Sequence, residues 1–208
     1  MSRFLAAIAV IVGVFAGSAV AAEVPDPDLA DMTERLSKSA VLRADFRQEK
    51  TLRALSRPLV SQGKLVFAAG QGVLWRVLEP YEVFVLLKPD EVVEWSTQDE
   101  QRRLDTASNP VFRALTDVIM ATLSGDTQSL RQHFDLSPVS SEAGWRLTLR
   151  PKSKELGAVI STVLVFGDRF VEGVQVTEAK GDTTAIEFSG FSAEPPELDE
   201  IETDYFAR

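Results

Sequence analysis

His133 is the single histidine of this 208-residue chain, and cysteine is absent. A Ser–His–Asp triad would have to use His133 as its base. No Gly-x-Ser-x-Gly turn exists to present a serine, and His133 lies in a polar stretch, so a solvated surface histidine is the simpler assignment. Ser61-Gln62-Gly63-Lys64 has the Ser-x-x-Lys spacing of serine acyltransferases. There the motif opens a helix and is joined by Ser-Asp-Asn and Lys-Thr-Gly, neither of which occurs here. In an alternating strand Ser61 and Lys64 point to opposite faces. The carboxylates of Asp99-Glu100 and Glu197 to Glu202 fall in a loop and a tail, where they read as solvated charge. Without cysteine or a histidine pair, only weak oxygen-ligand binding of calcium is conceivable, and there is no glycine-rich phosphate loop. These residues argue against catalysis. No enzyme activity, metal or cofactor is expected.

The N-terminus changes what counts as the mature protein. Arg3 supplies one positive charge, Phe4 to Ala16 is apolar, and small residues continue to Ala22. That layout is a secretory signal peptide over 1–22, with Val20 and Ala22 placed for a cut before Glu23. A cut after Ala21 is nearly as good, and the run is short of the roughly 20 apolar residues that span a bilayer. The remaining chain, 23–208, is expected to be one domain held by its core alone, with no lipid attachment and no disulfide. Its 21 basic and 31 acidic residues leave it at −10. Phosphate backbones and anionic headgroups repel such a chain, so nucleic acid is not an expected partner. A soluble, monomeric, periplasmic protein is expected.

The elements that must position any site come next. Asp28 is placed to cap an amphipathic helix over 29–40, in which Leu29, Met32, Leu36 and Ala40 share a face. From Val41 the period becomes two, and Leu42, Ala44 and Phe46 alternate with charged residues. Strands follow at 59–67, 73–78, 82–88, 92–96 and 102–106, separated by turn residues such as Gly70 to Gly72 and Pro89-Asp90. Asn109-Pro110 then opens a helix with an apolar stripe of Val111, Phe112, Leu115, Val118, Ile119 and Leu123. A short polar helix is expected over 127–133. Strands resume at 134–139, 145–150, 161–166, 170–178 and 183–191, and the acidic, proline-rich tail after Ser192 reads as poorly ordered. The pattern is mainly β: about ten or eleven antiparallel strands, interrupted by helices.

Several strands are apolar on both phases, most clearly Val73-Leu74-Trp75 and Val83 to Leu87. Antiparallel sheets normally present one face to water. Two arrangements accommodate the excess. One is a sandwich with a filled core, which would make the chain a non-catalytic envelope assembly or interaction module. The other is a curved sheet around a cavity, with helices as a lid.

The order of motifs resembles the LolA family of periplasmic carriers of outer-membrane lipoproteins, in its divergent LolA-like branch. Ala44-Asp45-Phe46-Arg47-Gln48 resembles the family's F-x-Q strand, and Ser61-Gln62-Gly63-Lys64-Leu65 its S-x-G-x-L strand. Gly72-Val73-Leu74-Trp75 through Pro80 is similar to its F-x-W-x(4)-P element. Lys88-Pro89-Asp90 and Trp95 sit where the family has a D-G turn and an aromatic. Asn109-Pro110 stands at the start of its central helix, and Gly181-Asp182-Thr183-Thr184 resembles its late G-x-x-T hairpin. The resemblance implies an unclosed half-barrel covered by a helical lid. It also implies acyl-chain cargo, received from an inner-membrane ABC transporter and handed to an outer-membrane acceptor.

On that resemblance the expected cavity lining is Phe46, Leu65, Phe67, Val73, Trp75, Phe84, Leu86, Val93 and Trp95, under a lid of Leu36, Leu115, Ile119 and Leu123. Where both phases are apolar the choice of face is open, because a one-residue slip inverts it. Type members carry a basic residue and proline just before the F-x-W element, tied to cargo release. Ala69 and Gly70 stand there in this chain, which raises carriage of a non-lipoprotein lipid, a free or conjugated acyl chain, as the alternative.

Overall fold

The computed structural model describes residues 26–36, 38–89, 91–96, 102–105, 118–123 and 126–208. The expected signal peptide, Asn109-Pro110 and Leu115 lie outside them.

Helix α1 spans Pro27–Arg35. Its cap is Asp26 rather than Asp28: the Asp26 carboxylate accepts the N–H groups of Asp28 at 3.1 Å and Leu29 at 3.4 Å. Pro27 stands in the first turn, where a missing N–H breaks no intrahelical bond. The helix also stops short of residue 40. Leu36 leaves the helical region at ψ 126°, and the Ala40 carbonyl accepts from Ala69 at 2.8 Å as the first strand begins.

Eleven strands follow. They are β1 (Val41–Thr51), β2 (Leu59–Ala68), β3 (Gly72–Glu79), β4 (Val83–Leu87), β5 (Glu91–Ser96) and β6 (Arg102–Asp105). After a helical segment α2 (118–123) and helix α3 (Thr127–His133) come β7 (Phe134–Ser141), β8 (Gly144–Pro151), β9 (Ile160–Gly167), β10 (Val171–Glu178) and β11 (Thr183–Ser192). Two short helices complete the described chain: α4 (Lys154–Gly157), between β8 and β9, and α5 (Glu200–Phe206), near the C-terminus. No described helix is long and apolar enough to cross a membrane.

All strands join one antiparallel sheet in the order β6-β5-β4-β3-β2-β1-β11-β10-β9-β8-β7. It is two meanders, β1–β6 and β7–β11, joined where β1 pairs with β11. The sheet is unclosed, with β6 and β7 at its edges. Pro138 sits on the edge strand β7, where a missing donor is tolerated.

The sheet must curve. Trp75 on β3 and Val163 on β9 line one cavity, although their strands are five places apart in the sheet. At roughly 4.8 Å per strand a flat sheet would hold them about 24 Å apart. The result is a half-barrel with an inner and an outer face. Inside, α1 packs on β7 and β8, and Leu29, Met32 and Leu36 join a cluster with Phe134, Trp145 and Leu147. The Trp145 Nε1–H donates to the Asp168 carbonyl at 2.7 Å, which satisfies its polar end. At the start of α3 the Ser129 hydroxyl donates to Asp126 at 2.6 Å. That bond, joined by the N–H groups of Ser129 and Gln128, holds the Asp126 carboxyl below its ordinary range against the opposing effect of burial.

The tail is ordered, contrary to the sequence expectation. Asp199 and Glu202 form a reciprocal capping box on α5. Glu202 also pairs with Arg43 of β1 at 2.6 Å, both side chains being largely buried, and the Arg43 guanidinium donates further to the carbonyls of Pro195 and Glu197. Thus anchored, α5 lays Tyr205 and Phe206 over the outer face of the first meander.

Gly63 of the S-x-G-x-L strand has a steric reason. It lies at a register shift between β2 and β3, and a Cβ there would sit 1.9 Å from the Arg76 carbonyl oxygen and 3.0 Å from the Phe46 ring. Since the obstacle is backbone, Gly63→Ala is expected to destabilise the protein by about 3 kcal/mol, the upper end of ordinary overpacking. Urea unfolding of the variant would check this; an unchanged midpoint would show that β3 moves aside freely.

Candidate binding cavity

The strand phases decide which side chains face inward. On β1, β2 and β3 the inward set is Leu42, Phe46, Leu65, Phe67, Val73 and Trp75, linked by the pairs Leu42↔Phe67, Leu65↔Trp75 and Phe67↔Val73. Leu42, Leu65, Phe67 and Val73 form a buried floor, and Ile119, Met120 and Leu123 of α2 pack against it. Trp75 is half-buried at the centre. Its ring lies 4.5 Å from that of Phe46 and 5.9 Å edge-on from that of Phe188 on β11. Phe170 and Phe191 stack at 4.7 Å beside the same floor.

Between α2 and the inner face is a cavity of about 100 Å³. Val118, Ile119, Thr122 and Leu123 form one wall, Trp75 another, and Val163, Val171, Val174, Val176, Ile186 and Phe188 of the second meander the rest. Ten of these eleven residues are apolar; Thr122 is the exception. Such a space has no group to activate water or hold a metal, and its chemistry is exclusion of water from hydrocarbon. Among the described residues no group of three His, Asp or Glu side chains is placed to bind a metal ion. The Ser-x-x-Lys pair is split as its strand requires: Ser61 pairs with inward Gln48, while Lys64 pairs with Asp45 and bonds its carboxylate at 2.9 Å on the outer face.

The expected lining divides in two. Phe46, Leu65, Phe67, Val73 and Trp75 lie on the inner face, with Trp75 bordering the cavity itself. Phe84, Leu86, Val93 and Trp95 lie on the outer face, paired as Phe84↔Trp95 and Leu86↔Val93. They pack with Leu74, Tyr205 and Phe206, and the Phe84 and Trp95 rings stack at 5.1 Å. The reason is the period of two: Leu74 opposes Leu86 and Trp75 opposes Val85, so the inward residues of β4 are Val83, Val85 and Leu87. Of the expected lid, Ile119 and Leu123 border the cavity. Leu36 instead packs between α1 and β8, beside a separate space of about 10 Å³.

Sequence reasoning missed the β9–β11 wall altogether. Its signal was present: Val174 and Val176 flank Gln175, while Ile186 and Phe188 flank Glu187, each a clean alternation.

The described residues thus form an unclosed antiparallel half-barrel with an apolar cavity under a helical segment. The family described as outer membrane lipoprotein carrier protein LolA matches residues 37–200, and the chain belongs to that family. An outer-membrane lipoprotein carrier protein of Pseudomonas entomophila (strain L48) is 28% identical over 187 residues, covering 88% of this chain and 86% of that one. Its counterpart in Pseudomonas fluorescens (strain Pf0-1) is 25% identical over 186 residues, covering 89% and 88%. A solved LolA superfamily protein from Nitrosomonas europaea, 10% identical, superposes with a TM-score of 0.45 over 86% of this chain and 97% of that one.

Proposed function

We propose that the mature chain, residues 23–208, is a monomeric, non-enzymatic periplasmic carrier. It shelters acyl chains between α2 and the inner face of the half-barrel and moves them from inner to outer membrane. The observation that carries this reading is the cavity itself, whose lining is apolar save for Thr122. The family and the names of its carrier relatives support it. Donor and acceptor are then an inner-membrane transporter and an outer-membrane receptor.

A second reading of the cargo has its own observation. The family's basic-proline pair falls here on Ala69 and Gly70, in the β2–β3 turn, where Gly70 has φ 74°. Proline is locked near −65° and cannot adopt that conformation. The turn therefore does not admit proline at position 70, and together with Ala69 in place of the basic residue this supports a cargo other than lipoprotein.

Native mass spectrometry of the mature chain, purified from periplasm without detergent and followed by lipid extraction, tests both. A discrete added mass resolving into a lipid is expected, and its identity separates lipoprotein from free or conjugated acyl cargo. A bare chain that also ignores fluorescent fatty acids would sink the carrier reading.

A further inference from the structure

Thr122 is the one polar residue in the cavity wall, and it is 7% exposed. Its Oγ1 is buried with no hydrogen-bond partner, the only such side-chain atom found among the described residues. A threonine inside a helix has a ready solution, which is to donate to the carbonyl four residues back. Thr33 does so, to Leu29 at 2.8 Å, and Thr203 to Asp199 at 2.7 Å. Thr122 makes no such bond to Val118. Valine has the same shape and would fill the site without burying an orphan hydroxyl, so packing does not explain the residue.

Native proteins leave few buried polar groups unpaired, and those they leave point to a role. The rest of the cavity wall is Val, Ile, Leu, Phe and Trp. Although Thr127 borders the small space on the other side of Thr122, it does not bond the hydroxyl, which leaves a ligand as the partner the cavity can supply. We infer that the Thr122 hydroxyl is a specificity contact that donates to the carbonyl of an ester- or amide-linked acyl chain held in the cavity. This rests on the carrier reading and adds to it that the cargo's carbonyl enters beneath α2 rather than staying at the mouth. A plain hydrocarbon offers no acceptor and leaves the orphan in place. In a dry site the contact discriminates more sharply than it would in water.

The test uses the mature chain and its Thr122→Val and Thr122→Ser variants. Each is loaded with N-phenyl-1-naphthylamine and titrated with methyl laurate or with tetradecane, two chains of similar length with and without a hydrogen-bond acceptor. Wild type and Thr122→Ser should favour the ester between about two- and tenfold, the range of one net hydrogen bond. Thr122→Val should lose that preference through weaker ester binding, with alkane binding unchanged. Its unloaded form should melt higher than wild type, which also verifies folding. A preference that survives Thr122→Val, or its absence in wild type while both probes compete, overturns this inference alone. If neither probe competes in wild type, the carrier reading falls with it.

Discussion

A chain with cysteines at Ile119 and Val174, joined by a cleavable bismaleimide, is expected to lose at least tenfold in fatty-acid uptake and to regain it when the linker is cut. Both positions line the cavity, one on α2 and the other on β10. The wild-type chain has no cysteine to compete for the reagent. The expectation follows from volume. The cavity is about 100 Å³, whereas sites for drug-sized ligands run from roughly 300 Å³ upward. On the proposed function, an acyl chain would enter only if α2 moved away from the sheet. Moving it uncovers Val118, Ile119, Ala121 and Leu123, at about 1.5–3 kcal/mol for a large side chain that is fully buried. Burial of a 16-carbon chain gains on the order of 10 kcal/mol at about 0.8 kcal/mol per methylene. On the proposed function, cargo burial would offset opening, and the helix would close again once cargo left. Uptake by the linked protein at the unlinked level would show that the chain enters elsewhere.

Deleting residues 198–208 is expected to remove about 5 kcal/mol of stability, much of what a typical domain possesses. The loss has two parts. Leu198, Tyr205 and Phe206 cease to cover Leu74, Phe84, Leu86 and Trp95, at about 1.5–3 kcal/mol for each large side chain in full contact. Arg43 also loses Glu202, a bidentate partner at 2.6 and 2.7 Å. Hydrogen bonds to charged groups contribute about 1.5–3 kcal/mol. Urea unfolding with a probe of exposed apolar surface should show a lower midpoint and new dye binding. Glu202→Ala alone should reproduce the smaller, polar share. A truncated chain as stable as the whole would mean that α5 lies on the sheet without holding it.

Strands were readable because their period of two and their turn residues are local. The predicted starts and stops of β2, β3, β5 and β8 fall within a residue of those observed. What sequence could not supply was the face of β4 and β5. Val83 to Leu87 is apolar at every position, so neither phase is marked. The choice is made by α5, more than a hundred residues away, which seals Phe84 and Leu86 outside and leaves Val83, Val85 and Leu87 within. The helix itself carried a signal that passed for solvated charge: Asp199 and Glu202 have capping-box spacing, and Tyr205-Phe206 follows one turn later. The same holds for Asp26-Pro27, where proline marks the first turn and moves the cap two residues forward.

The pairing of β1 with β11 has a consequence for the order in which the molecule can be completed. Each meander is built from neighbours in sequence, which close quickly. The seam between them matches Arg43 with Ser192 and Thr51 with Thr183, partners separated by most of the chain. A chain emerging from its N-terminus can form the β1–β6 sheet early, but β1 keeps an unsatisfied edge until the final strand arrives. The helix that covers the outer face comes later still. Until then the newborn half-sheet carries a bare strand edge and an uncovered aromatic cluster at once, the two features that most invite association with another chain. The protein is thus most exposed to misassembly in its last twenty-odd residues of emergence, and a product cut short before Thr183 would keep both hazards permanently.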